Sequence, residues 1–585
     1  MERKIRLSKK PISTILKVSF SIATIAVSFI LIGIFKTKAQ DIEQVSTIVT
    51  IGNASPIFTE GPAENPATTA TDPISSGGVV TFSAKATDSN GQAYFLTVCA
   101  TNQITAPSGT GPGTCVGENN TYCSTSSATA SGTGTSCTYT TGASNIFSNP
   151  WYAFVCDNDS TDPKCSVGAS GTGDSGSPLF VNHRPVFSSI SNTGNINPGE
   201  TITWNATANN PDFVEDNSLR IKLLVCKTNS ITTGANPTCS GGSWCTSTDA
   251  KSNPSCQYTA PTVAPDINNN AYVFVVNNFG TPASGGAQGQ NSSFYINNVA
   301  PTVTNVTING GSAITLAEST TKPVIITASV TDKNGCDTTE IATVNAYAYR
   351  GGATPATSLS NCIAAGASND KDKCYNSISC TQVGGSCNAG TANYTCTANF
   401  EYYADPTDTG TEFPSESWYS SVKATDDDSA NDTTTVTTGV KVNSLIAFSV
   451  TTLIDYGALS PNDKINLTRP LTTTPTGNVG LDQSHKGTAM CTDYSTNPTC
   501  ASGGGKTPIA VSEQRYSLTS GAEYDDGTPL STIASEIEIN VPKVRNGTVL
   551  TKNTYWGINI PNGILAGIYN GLNTITAIKG ETANW

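Results

Sequence analysis

One short alternating stretch occurs three times in this chain, at a single interval. Val80-Thr81-Phe82-Ser83-Ala84-Lys85-Ala86 is matched by Ile202-Thr203-Trp204-Asn205-Ala206-Thr207-Ala208 and again by Val324-Ile325-Ile326-Thr327-Ala328-Ser329-Val330. Each copy runs into a polar turn, and the turn residues Asp88, Asn210 and Asp332 are spaced 122 residues apart in both steps. Apolar residues at every second position read as a strand with one buried face. Self-similarity at a fixed period makes the chain an array of like modules. A length of 585 residues has room for about four domains of ordinary size. Such an array supplies length and surface rather than one catalytic pocket.

The cysteines divide evenly along the array. Cys99, Cys115, Cys123, Cys137, Cys156 and Cys165 fall in the first repeat; Cys226, Cys239, Cys245 and Cys256 in the second; Cys336, Cys362, Cys374, Cys380, Cys387 and Cys396 in the third; Cys491 and Cys500 in the last segment. Even counts in an exported chain point to disulfides, and the lack of any C-x-x-C argues against zinc or a redox dithiol. The second repeat lacks counterparts of both Cys156 and Cys165, which expects those two to be one bridge. Pairing of neighbours is expected for Cys99–Cys115, Cys123–Cys137, Cys226–Cys239 and Cys245–Cys256, with two other connectivities of each four left open. Cys491–Cys500 reads as a local staple. The pairing in the third repeat is left open.

Within each repeat a first strand follows a proline (Pro56, Pro185, Pro301), then comes the recurring strand, then an alternating strand ending in cysteine such as Ala93–Cys99. A Gly/Ser/Thr-rich insert carries the middle cysteines, and Trp151–Cys156 and Pro178–Asn182 close the first module. Short alternating strands with regular turns make a β-sandwich the natural solution. The expected fold is all-β: tandem immunoglobulin-like or fibronectin-like sandwiches with disulfide-stapled inserts, preceded by one N-terminal hydrophobic helix. The expected divisions are 1–39, a signal peptide or membrane anchor; 40–184, 185–299 and a divergent 300–443, three sandwiches; and 444–585, a sandwich of a different type. Val181-Asn182-His183-Arg184-Pro185 and Asn297-Asn298-Val299-Ala300-Pro301 form the joints, each ending in a proline that stiffens it.

The N-terminus has the layout of an export signal. Basic residues from Arg3 to Lys17 precede an apolar run from Val18 to Phe35, and Thr37-Lys38-Ala39 offers small residues before Gln40. The alternative is an uncleaved anchor spanning the membrane within residues 15–35. Either places residues 40–585 outside the cytoplasm, extracellular or on the cell surface. Beyond residue 39 the chain carries 23 basic against 43 acidic residues, a net −20. That acidity repels phosphates and excludes nucleic acid as a partner.

The pattern V-C-x-T-N at Val98–Asn102 and Val225–Asn229, the Val181–Pro185 joint, and the block from Asp455-Tyr456-Gly457 through Thr476–Asp482 to Tyr555–Pro561 carry a likeness. The chain resembles uncharacterised secreted surface proteins of uncultivated candidate-phylum bacteria over most of residues 40–585. The resemblance implies an envelope or extracellular protein with immunoglobulin-like modules. It implies no activity, and no functional residue is carried over from it.

Gly173-Asp174-Ser175-Gly176-Ser177-Pro178-Leu179 looks like the nucleophile loop of trypsin-like serine proteases. In that family the histidine base and the aspartate precede the serine. Here the only histidines, His183 and His485, both follow Ser175, so the base such a serine requires is out of order, and the stretch reads as a Gly/Ser turn. His183 reads as a surface residue of the joint and His485 as isolated among polar residues. Two histidines in all make a histidine-based metal centre improbable.

Acidic turns are the better metal candidates, because clustered hard oxygen ligands suit Ca²⁺. Asp88, Asn90, Asp157, Asp159, Asp332 and Asn334 are the candidate ligands, with Asp426-Asp427-Asp428 a further acidic turn. No complete D-x-[DN]-x-[DN]-G loop with a distal glutamate occurs, and Asp and Asn also serve simply as turn formers. No cofactor other than Ca²⁺ is indicated. Phe82, Trp151, Trp204 and Trp418 fall on recurrent strand positions and read as core.

The function expected is a non-enzymatic structural or adhesive surface protein, with other surface proteins or glycans as partners. A glycan-binding array is the alternative, and a secreted hydrolase a second.

Overall fold

The computed structural model of the protein describes residues 46–352, 355–364, 370–385, 387–501 and 507–585. The apolar run Val18–Phe35 and the small residues before Gln40 lie outside them. Among the described residues no helix is long and apolar enough to cross a membrane. Contacts divide the chain into Met1–Ala54 and Ser55–Trp585, and the description below concerns the second unit.

Among the described residues the fold is β with one short α-helix, arranged in β-sandwiches. In the first module, strands Ile57–Asn65, Val79–Thr87 and Gly134–Thr140 form one sheet, and Tyr94–Cys99, Thr121–Ser124 and Tyr152–Asp157 form the facing one. The second module repeats this with Val186–Asn192, Thr201–Asn209 and Ser255–Thr259 against Ile221–Cys226, Ser243–Thr246 and Tyr272–Asn277. The recurring stretches lie within Val79–Thr87, Thr201–Asn209 and Lys322–Thr331, each paired on both sides, the first two as the middle strands of three-stranded sheets. Their alternate residues point inward: Val80, Phe82, Ala84 and Ala86, then Ile202, Trp204, Ala206 and Ala208, then Val324, Ile326, Ala328 and Val330, all buried.

The repeat also sets the position of a disulfide. Phe82, Trp204 and Ile326 hold equivalent places, and each pairs across the sheet with a cysteine: Cys137, Cys256 and Cys396. Those cysteines bond to Cys123, Cys245 and Cys380. In the first two modules the bonded strands belong to opposite sheets, so the bridge joins the two layers at their open edge. It therefore does more than hold a loop closed, although it is not the antibody-type bridge through the sandwich centre.

The third module departs at this edge. Its counterpart strand, Cys374–Gln382, is longer and is hydrogen-bonded on both sides, to Thr343–Gly351 and to Thr391–Phe400. It turns between the two layers at Ser377, where φ is 51°. The layers become one continuous seven-stranded sheet, with Cys380 and Cys396 directly opposite at the seam. A helix, Pro355–Ala364, precedes this strand and is tied to it by Cys362–Cys374. Pro355 at its start suits the first helical turn, where no N–H is needed. Cys336–Cys387 spans 51 residues, the longest loop of the nine bridges.

The remaining bridges are Cys99–Cys115, Cys226–Cys239, Cys156–Cys165 and Cys491–Cys500. Cys156 faces Cys165 across a bridge pair in the first module, whereas Val276 faces Pro282 in the second. The tighter return in the second module leaves less slack to hold, which accounts for the joint absence of the two cysteines.

The last segment packs Phe448–Val450, Lys464–Pro475, Lys552–Asn559, Gln514–Ser517 and Thr528–Pro529 as one sheet and Ser535–Val541, Leu481–Gly487 and Asn573–Lys579 as another. The four largest buried apolar clusters lie within residues 80–181, 187–296, 303–442 and 456–560. Trp151, Trp204, Trp418 and Trp556 are fully buried.

Candidate functional site

The recurring strand ends in a turn, and the turn reaches the linker that enters its module. At the second joint Asn334 Oδ1 accepts from Val299 N at 2.7 Å, while Asn334 Nδ2 donates to the carbonyls of Ala264 and Asn297 at 3.1 Å each. At the third joint Asn478 does the same with Leu445 N at 2.7 Å and the carbonyls of Ala404 and Asn443 at 3.1 Å. At the first joint Asp212 fills the place of Asn334: its Oδ2 accepts from His183 N at 2.8 Å and its Oδ1 meets His183 Nδ1 at 2.6 Å. All three clamp residues are buried. Buried backbone groups need partners; at the second and third joints one short polar side chain satisfies the linker and the preceding module together, whereas at the first Asp212 holds the linker residue His183. The fourth module differs in type yet keeps this clamp. His183 is correspondingly not a surface residue; its side chain is 15% exposed.

What surrounds each clamp differs. Asn334 ties the loop that carries Asp266, and Asn478 ties the loop that carries Asp405. Asp405 meets two cations: Arg350 Nε donates to its Oδ2 at 2.8 Å, and the buried Lys543 pairs with its Oδ1. Asp266 instead meets Asp427 and Asp428, the three offering carboxylate oxygens all within 4.8 Å of one another. Asp332, Glu340 and Asp426 join this group electrostatically. Among the described residues none of these six acids forms an ion pair.

Asp332 is 1% exposed and Glu340 8%. Asp332 Oδ1 accepts from Asn334 N at 2.7 Å, but its Oδ2 has no hydrogen-bond partner; Glu340 Oε1 and Asn298 Oδ1 have none either. Asp426 is engaged, accepting from Ala430 N at 2.7 Å and from Asn298 Nδ2 at 3.1 Å. Burial, reinforced by repulsion from Asp332, Asp266, Asp427 and Asp426, raises Glu340 to about 7. Burial chiefly, with Asp426 and Asp266 adding to it against the pull of the Asn334 and Gly335 amides, raises Asp332 to about 6.

Of the six sequence-stated candidates, only Asp332 is thus brought into an acidic cluster with open oxygens. Asn334 is fully engaged as the clamp. Asp88 Oδ1 accepts from Asn90 N at 2.6 Å in a turn, and its buried Oδ2, which has no hydrogen-bond partner, belongs to no acidic cluster among the described residues. Asp157 takes the amides of Asp159 and Lys164, both at 3.1 Å. Asp159 takes the amides of Thr161 and Asp162 and the Gln92 side chain. The amides of Asp162 and Thr161 hold its carboxyl far below the ordinary range. These acids fasten the loop closed by Cys156–Cys165. Asp266 and Glu340 carry no motif and were missed; only the fold brings them beside Asp332. A second acidic group, Asp482, Glu538 and Glu581, lies in the last module, and Asp482 Oδ2 is buried there without a partner.

Neither histidine is placed to activate Ser175. His183 Nε2 faces the Gly142 carbonyl at 3.4 Å. His485 is fully buried, stacked on Trp556 and edge-on to Tyr516, with Nε2 bonded to Gln483 Oε1 at 2.9 Å. It is part of the core rather than isolated among polar residues. The Ser175 loop has a structural role: Ser177 Oγ accepts from Trp151 N at 2.8 Å.

No protein-family model matches the chain, and no curated protein matches it. Among solved structures it is similar to a marsupial T cell receptor, at 8% identity and TM-score 0.23, covering 64% of this chain and 99% of that one. It is similar to the full ectodomain (Ig1–Ig3) of mouse nectin-like molecule 4, at 9% identity and TM-score 0.24, covering 63% and 96%. It is also similar to the FN1–FN3 domains of chicken CNTN1, at 8% identity and TM-score 0.18, covering 63% and 99%. These likenesses concern the fold alone.

Proposed function

We propose that the chain is a non-enzymatic structural or adhesive protein of the cell surface or extracellular space, presenting loops on a disulfide-stapled module array and engaging other surface proteins. The observation that carries this reading is the placement of the cysteines. All eighteen are bonded, and an equivalent bridge starts from the strand beside the recurring one in each of three modules. Bridges of this kind persist in oxidising compartments. Several of the buried polar side chains serve joints and turns, Asn334, Asn478, Asp212 and Asp157 among them. A groove in the last module, lined by Leu453, Tyr456, Met490, Gln514 and Asn573 among others, contains no carboxylate, histidine, lysine or cysteine, which leaves a hydrolase without an acid–base pair there.

The glycan-binding alternative requires exposed aromatic platforms. No Phe or Trp stands among the exposed large apolar side chains of the described residues, which favours protein partners. The test is bead adhesion. Beads coated with the oxidised chain should bind cells bearing the partner surface, and binding should be lost after reduction with dithiothreitol. Turnover of peptide, ester or glycoside substrates, or adhesion abolished by free sugars but untouched by reduction, would overturn the proposal.

A further inference from the structure

The three joints share one clamp, but two of them supply a charged or protonatable partner for their acids. Asp212 meets His183. Asp405 meets Arg350 and Lys543. The second joint gathers Asp266 from one module with Asp332, Glu340, Asp426, Asp427 and Asp428 from the next and supplies no such partner. From this contrast we infer that the second joint is a Ca²⁺ site, in which Asp266, Asp427 and Asp428 hold the ion with the open oxygens of Asp332 and Glu340 and the Asn298 side-chain carbonyl.

Three observations carry this beyond a patch of surface acids. The Asp266, Asp427 and Asp428 oxygens are already gathered within 4.8 Å of one another, close to the spacing that a shared ion with ligands at about 2.3–2.6 Å would set. Asp332 and Glu340 are more than nine-tenths buried, yet each keeps one carboxylate oxygen without a partner. A buried anionic oxygen left unsatisfied is costly, and both residues lie within electrostatic reach of Asp266. The donor set is entirely oxygen, with no histidine or cysteine, which selects a hard cation. Six oxygen-bearing side chains, five of them carboxylates able to bind through both oxygens, supply the roughly six to eight protein oxygens that Ca²⁺ accepts and leave no place for the several waters that Mg²⁺ keeps. Asp266 belongs to the preceding module and the other acids to the following one, so the ion bridges the joint and adds a cationic tie of the kind that Lys543 and Arg350 provide at the next. The inference does not depend on adhesion, and each can fail without the other.

The test uses the oxidised full chain freed of metal. Calorimetry with CaCl₂ should show binding and a rise in melting temperature. Asp427→Asn with Asp428→Asn, both at exposed positions, should weaken one binding event at least tenfold while the protein stays folded. Asp482→Asn, in the other acidic group, should leave that event unchanged. Tb³⁺ supplies an independent readout, because the Tyr295 phenol lies within electrostatic reach of Asp266 and Asp428. Tyr-sensitised Tb³⁺ emission should appear in the wild type, fall in Tyr295→Phe and disappear in the double Asn variant. Absence of both heat and emission would overturn the inference. So would unchanged Ca²⁺ affinity and emission in the Asp427→Asn, Asp428→Asn protein, since the ion would then lie elsewhere.

Discussion

Replacing Asn334 by Ala tests the clamp directly. The substitution strands the half-buried N–H of Val299 and removes a donor from two carbonyls, Ala264 and Asn297. A buried donor left without a partner costs about 1–3 kcal/mol. The carbonyls, with two lone pairs each, tolerate the loss better, and water entering the vacated space restores part of it. The sum is about 2 kcal/mol of local stability, or roughly thirtyfold in the opening equilibrium. Hydrogen exchange resolved at the Val299 amide reads this quantity at the joint itself, and the opening need not be global. Run in chelator, the measurement is independent of any bound cation. Asn334→Asp sharpens the test. The carboxylate could still accept from Val299, but it would face the Ala264 and Asn297 carbonyls with lone pairs instead of N–H groups, and it would add charge beside Asp332 and Glu340. It should be at least as damaging as Ala. Asp is tolerated in the equivalent place at the first joint because His183 faces it there. Exchange at Val299 within threefold of wild type in Asn334→Ala, or an Asn334→Asp protein more stable than Asn334→Ala, would refute the reasoning.

Other outcomes follow from the same structure. His485 is held neutral by burial, with its pKa lowered from 6.5 to about 4. The unfolded chain therefore takes up a proton before the folded one, and about 3 kcal/mol of stability is lost as pH falls from 6.5 to 4; in His485→Phe the difference between melting temperatures at those pH values should shrink relative to wild type. Replacing Cys336 and Cys387 with Ser opens a 51-residue loop and should cost about 4 kcal/mol on the chain-entropy model. Opening the 14-residue loop of Cys123–Cys137 should cost about 3 kcal/mol; denaturant titration of both variants checks the order. Lys543→Met removes the fully buried partner of Asp405 and should cost roughly 3–5 kcal/mol by leaving a buried charge underpaired, seen as lowered melting of the last two modules.

The parts legible in the sequence are those with local or periodic causes. The recurring strand shows itself because one buried face imposes a period of two. Cys156 and Cys165 show themselves because they are missing together from the second repeat, where the chain returns more tightly. The clamp was half legible: Asp212 and Asn334 stand 122 residues apart, but Asn478 lies in a module whose strands do not align with the others, and only the hydrogen bonds reveal the shared role. The acidic cluster was legible for Asp332 and for the run from Asp426 to Asp428. Asp266 and Glu340 were not, because each sits in an unremarkable loop and meets the others through tertiary packing across a joint. The same packing consumed Asn334, Asp157 and Asp159, whose spacing alone could not separate a ligand from a turn. The helix Pro355–Ala364 is a single short segment in an insert, and its apolar face, Leu359, Cys362 and Ile363, is too brief to stand out from the surrounding polar residues.

The central claim is that this is an exported, fully oxidised surface array, and labelling of intact cells tests it most directly. Cells that express the chain natively would be treated with a membrane-impermeant amine reagent, and the labelled protein digested without reduction and mapped by mass spectrometry. The account predicts labelled lysines within residues 46–585 on unbroken cells, with Cys123–Cys137, Cys245–Cys256 and Cys380–Cys396 recovered as linked peptides. Labelling only after lysis, together with free thiols at those six positions, would contradict it.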